Sequence, residues 1–150
     1  MERSALSTTL LALFILFTAQ FFVGMANNLL VTPPMTSFPQ NNNAFPDALS
    51  YVATGGNLIL TSHFFIDLGI IAFVIATLAL TIHKSNTYRA LSTFGLVGVL
   101  FAFASGFRFA ASNFTVDQIS YQMAAGFISA FILYFAMAML MYRDIAVKAG

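Results

Sequence analysis

Four long apolar runs alternate with three polar breaks along this chain, and the pattern predicts membrane-spanning helices over about residues 5–30, 58–82, 90–112 and 119–142. About 20 apolar residues in a helix cover the ~30 Å hydrocarbon core of a bilayer, and each run meets that length. The breaks differ in kind. Residues 31–57 hold all four prolines, an asparagine run and a glycine pair, and they read as a long loop with a short helix near 47–53. HKSNTYR and NFTVDQ are short turns, which favour antiparallel neighbours. The expected fold is an all-α, up-down antiparallel bundle of four transmembrane helices in a single membrane domain, 1–150. The first run exceeds the ~7–15 residues of a signal-peptide core, so it is expected to be a retained span.

Composition agrees with that pattern. The chain is 59% hydrophobic and 7% charged, where soluble domains carry about 25% charged residues. It contains no cysteine, which excludes disulfides, iron–sulfur clusters and thiolate chemistry. A net charge of +1 argues against nucleic acid as a partner.

The distribution of charge gives an orientation. Arg3, Lys84, Arg89, Arg143 and Lys148 fall on one side of the expected bundle, and the opposite loops carry Asp47 and Asp117. Positive residues collect on the cytoplasmic side, so both termini are expected there, with the long loop between helices 1 and 2 external. The localisation that follows is a multi-pass protein of the cell membrane.

Small residues repeat every four positions at Gly98, Ala102, Gly106 and Ala110 and again at Gly126 and Ala130. Such stripes let helix backbones approach closely, within one chain, in a homo-oligomer or against the subunits of a larger membrane complex.

Polar side chains inside the spans are the candidate chemistry. His63 and Asp67 are four residues apart and share a helix face, about 9 and 15 Å from the external end. An ionised carboxylate at mid-span costs ~2.5–3.5 kcal/mol, so Asp67 needs a partner, a wet cavity or a proton. Gln20 lies at a similar depth in the first span, Arg108 near the external end of the third, and Gln122 and Met123 near that of the fourth. The cytoplasmic half is expected to hold almost no polar groups. Arg108 either snorkels to the interface or pairs with Asp67 or an anionic group such as a haem propionate or a quinone-like headgroup. His63 is open to three readings: a hydrogen-bonded packing residue, an axial haem ligand with Met123 as the second metal ligand, or a proton-relay group. Gln122 is a poorer alternative ligand.

The second span, TSHFFIDLGIIAFVIATLALTIHK, can be laid over the fourth, YQMAAGFISAFILYFAMAMLMYR, with His63 opposite Gln122, and Gly24 and Gly106 fall at comparable places in spans one and three. This repeated hairpin, with its long external loop and a histidine near the external end of the second span, resembles one half of the haem A synthase family, including its compact four-span members. The resemblance implies a haem-binding bundle, with the ligand role carried over at His63. Where that family has a His-Arg pair this chain has His63-Phe64, and Gln122 or Met123 stands in place of the second histidine.

Three functions are therefore carried forward: a haem-type redox bundle, a non-catalytic subunit of a larger membrane complex, and a small proton or solute transporter. No phosphate loop, HExxH motif or serine triad is present. Asn113-Phe114-Thr115 fits a glycosylation acceptor.

Overall fold

Apolar runs between strong helix-start signals form the frame of the protein. In the computed structural model, which describes residues 2–30, 44–54, 57–112 and 116–149, the elements are α1 (Glu2–Leu30), α2 (Ala44–Thr54), α3 (Leu58–Thr81), α4 (Asn86–Ala111) and α5 (Asp117–Ala149). Four of these are long and apolar enough to cross a membrane: Ala5–Asn27, Leu58–Thr81, Asn86–Ala111 and Asp117–Val147. The segment 31–43 of the long loop and the acceptor triplet at 113–115 lie outside the described residues.

Local chemistry sets the helix ends. Asn57 caps α3, its side-chain oxygen accepting from the N–H groups of Ile59 at 3.0 Å and Leu60 at 3.2 Å. Two boundaries differ most from the expected spans. α4 begins at Asn86 rather than 90, because the polar residues after Ser85 form its first turn and the Arg89 guanidinium donates back to Asn86. α5 continues past 142 to Ala149, since no proline or glycine interrupts RDIAVKA.

α1 packs along α3 and α4 along α5, α3 joins the two pairs, and α1 meets α5 more loosely. The α4/α5 contact is close enough that a Cβ on Gly126 would lie 2.8 Å from the Gly98 carbonyl oxygen and 2.9 Å from the Ala102 nitrogen. The small-residue stripes are thus used between helices of this chain. Larger side chains separate α1 from α5, where Phe14 and Phe17 meet Phe131 and Phe127 edge to face with centroids 5.3–5.9 Å apart. Leu10, Leu13, Phe17, Ile70, Val74, Tyr134 and Met137 fill the centre. Many other large apolar side chains, among them Ile15, Phe22, Phe65, Phe94 and Ile132, point outward, as a lipid-facing surface requires. α2 lies across the ends of α3 and α4, with Val52 packed with Leu60 and Ala110. We refer to this as the α2 end of the bundle; both chain termini lie at the other.

The expectation that the terminal half holds almost no polar groups is corrected. Thr77, Thr81 and Ser92 are fully buried there, with Thr81 Oγ1 2.8 Å from Ser92 Oγ and the Tyr134 hydroxyl donating to the Ser92 carbonyl at 3.2 Å. These hydroxyls also bond local backbone carbonyls, a common way for Ser and Thr to be satisfied inside apolar helices.

Candidate functional site

On α1, Gln20, Gly24 and Asn27 recur at helical spacing on one face, and on α3 so do Leu60, His63 and Asp67. Antiparallel packing of these faces brings together the three polar side chains at the centre of the site. The Gln20 amide nitrogen donates to Asp67 Oδ1 at 2.6 Å and lies 3.1 Å from His63 Nε2. Nε2 of His63 is 4.0 Å from Asp67 Oδ2, so the bridging amide carries the connection.

The Gln20 amide, with its nitrogen toward both groups, sets the histidine tautomer consistent with this network. An amide –NH2 only donates, so His63 Nε2 accepts from Gln20 and the proton of the neutral ring sits on Nδ1. Nδ1 has no hydrogen-bond partner among the described residues; neither do Gln20 Oε1, Asn27 Oδ1 or Gln122 Oε1, all of them buried. Unsatisfied buried polar atoms are uncommon and costly, at about 1–3 kcal/mol each, and three of these four belong to Gln20, Asn27 and His63, which line the two adjoining cavities.

Two cavities adjoin the cluster. The smaller, about 100 Å³, is lined by Gly24, Asn27, His63, Asp67 and Met123, with Phe64, Phe103 and Phe107 as an aromatic wall. The larger, about 230 Å³, shares Gly24, His63, Asp67 and Met123 and adds Gln20, Phe21 and Phe127. In the wall, Phe64 stacks with Phe103 at 6.3 Å and Phe103 meets Phe107 edge-on at 4.9 Å. Gly24 lets α1 lie close to the ring, where a Cβ would sit 3.2 Å from His63 Cε1.

The structure brings together four of the six residues expected in the site: Gln20, His63, Asp67 and Met123. Gln122 and Arg108 line neither cavity. Arg108 is exposed on α4, and Asp67 is held by Gln20 rather than by that guanidinium, so the expected Arg108–Asp67 pair does not form. The sequence reading missed Gly24 and Asn27 as site residues. Their signal was the spacing from Gln20, four and seven positions along one face.

The residues at this site do not suit the haem that the sequence resemblance implies. His63 Nε2 is taken by Gln20, and with its proton on Nδ1 the ring offers no free lone pair to a metal. Pockets for drug-sized ligands run ~300–1,000 Å³, and neither cavity reaches that range. A four-ring macrocycle does not fit between these helices as they pack, and a haem propionate would find no Arg108 in either cavity. No group of three or more His, Asp or Glu side chains gathers to hold a metal ion among the described residues. No protein-family model, curated protein or solved structure matches the chain.

Proposed function

We propose that this is a small membrane bundle whose α2-end half binds the single-ring headgroup of a lipid-soluble cofactor of the quinone class. The observation that carries this reading is the set of unpartnered buried polar atoms beside cavities of ring size, walled by aromatic and apolar side chains. His63 Nδ1–H would donate to a ring carbonyl oxygen. Gln20 Oε1 and Asn27 Oδ1 would accept from the hydroxyls of the reduced form. Asp67, partly open to the cavities and tied to His63 through Gln20, is the group positioned to take or give a proton. The apolar tail of such a molecule would leave between the helices into lipid.

The rival readings draw less support. A subunit role would have to rest on the outward apolar side chains, because Gly98 and Gly126 face one another inside the chain. A transport path would have to cross the apolar layer of Leu13, Phe17, Ile70 and Val74, which separates the Gln20–His63–Asp67 cluster from the Thr81–Ser92 cluster.

Thermal denaturation in detergent with a short-chain benzoquinone tests the proposal. Wild type at a hundredfold excess over Kd should gain about 2.7 kcal/mol. His63→Phe, which removes the donor and fills the space, should gain nothing, and Arg108→Ala should respond as wild type does. Equal stabilisation of wild type and His63→Phe would refute the site.

A further inference from the structure

A second site lies at the other end of the bundle, away from the proposed quinone pocket and independent of it. A groove of about 570 Å³ runs between the ends of α1, α4 and α5, lined by Leu6, Lys84, Ser85, Tyr88, Arg143 and Asp144, with Met141, Ile145 and Val147 as its apolar side. α5 is 33 residues long, or about 50 Å, against a ~30 Å hydrocarbon core. Its last turns therefore stand at headgroup level, where Ile145 and Val147 are exposed beside charged groups.

The charges in this groove are unbalanced. Asp144 is already engaged on both oxygens, accepting from the Tyr88 hydroxyl at 3.0 Å and from Arg143 Nη2 at 3.4 Å. Lys84 has no ion-pair partner among the described residues, and the Ser85 hydroxyl makes no cap bond to its own helix. One carboxylate against two cations leaves a net positive lining with a hydroxyl donor on one side and an exposed apolar strip on the other. An anion carrying hydrocarbon matches both halves, and basic pockets between membrane helices on the positively charged side hold acidic lipid headgroups.

We propose that this groove binds the phosphodiester headgroup of an anionic membrane lipid, with Lys84 and Arg143 on the phosphate, Ser85 donating to it, and the glycerol and first methylenes against Ile145 and Val147. Native mass spectrometry of the full chain in detergent tests this, using phosphatidylglycerol and phosphatidylcholine of equal chain length. One phosphatidylglycerol should be retained per chain in preference to phosphatidylcholine. At about fivefold for each cation near a membrane surface, Lys84→Gln with Arg143→Gln should weaken that retention about thirtyfold. Arg89→Gln should leave it unchanged, since that exposed cation bonds Asn86 and lies outside the groove. Both altered sites are exposed or partly so, and an unchanged melting temperature of the double variant would show that it is folded. Equal retention of the two lipids, or an equal loss in Arg89→Gln, would overturn the proposal. Displacement of the lipid by inorganic phosphate at equal concentration would assign the groove to a soluble phosphate ester and would overturn it too.

Discussion

Gln20 is the residue through which the α2-end cluster is organised. Its one amide nitrogen serves both the Asp67 carboxylate and His63 Nε2, so removing it affects two buried groups at once. Gln20→Leu keeps the volume roughly and leaves Asp67 without its amide donor, which should cost about 1–3 kcal/mol in thermal denaturation, more if the carboxylate stays charged. A stability within error of wild type would show that Asp67 finds other partners. The sequence made these three residues legible because a polar side chain at mid-span needs a reason. Depth alone did not give direction around the helix, and that is why it left Arg108 open between snorkelling outward and facing the bundle. Arg108 stands two positions from both Gly106 and Ala110, about 200° around α4 from the inward stripe, so it points outward. The same rule, applied to Gln20, would have found Gly24 and Asn27.

Between helices, two kinds of contact hold the bundle and respond differently to substitution. The α4/α5 seam depends on the absence of side chains: Gly126→Val places carbon against the Gly98 carbonyl and the Ala102 nitrogen, and overpacking of this kind costs about 1–3 kcal/mol. The seam was readable from the four-residue repeat of small residues. The Thr81–Ser92 bond near the terminal end was not, because hydroxyls in apolar helices so often bond only their own backbone. Its trace in the sequence is a single inward stripe on α3 through His63, Asp67, Ile70, Val74, Thr77 and Thr81. Thr81→Val should cost about 0.6 kcal/mol, the average for interhelical hydrogen bonds in membranes, measured by unfolding in mixed detergent. A loss well above ~1.7 kcal/mol would mean that the hydroxyl supports more than this one contact.

The whole molecule is an apolar layer between two polar ends of different character. At the α2 end, buried atoms of Gln20, Asn27 and His63 lack partners; at the terminal end, the buried hydroxyls are bonded and Lys84 and Arg143 line a groove. That asymmetry favours ligand binding over conduction, because a path needs polar groups through the middle, where Leu10, Leu13, Phe17, Ile70, Val74 and Met137 are packed. Span number and antiparallel order followed from hydrophobic length and turn length, which are properties of the one-dimensional chain. Cavity size and the tautomer of His63 depend on how two helix faces meet, which no spacing specifies. The measurement that tests the central claim most directly is the redox difference spectrum, in the ultraviolet, of an organic extract of the detergent-purified protein, paired with a visible spectrum of the intact protein. The account predicts a quinone band near one equivalent per chain, lost in His63→Phe, and no Soret band. An extract without quinone in excess of the carried-over lipid, or a Soret band that disappears with His63, would contradict it.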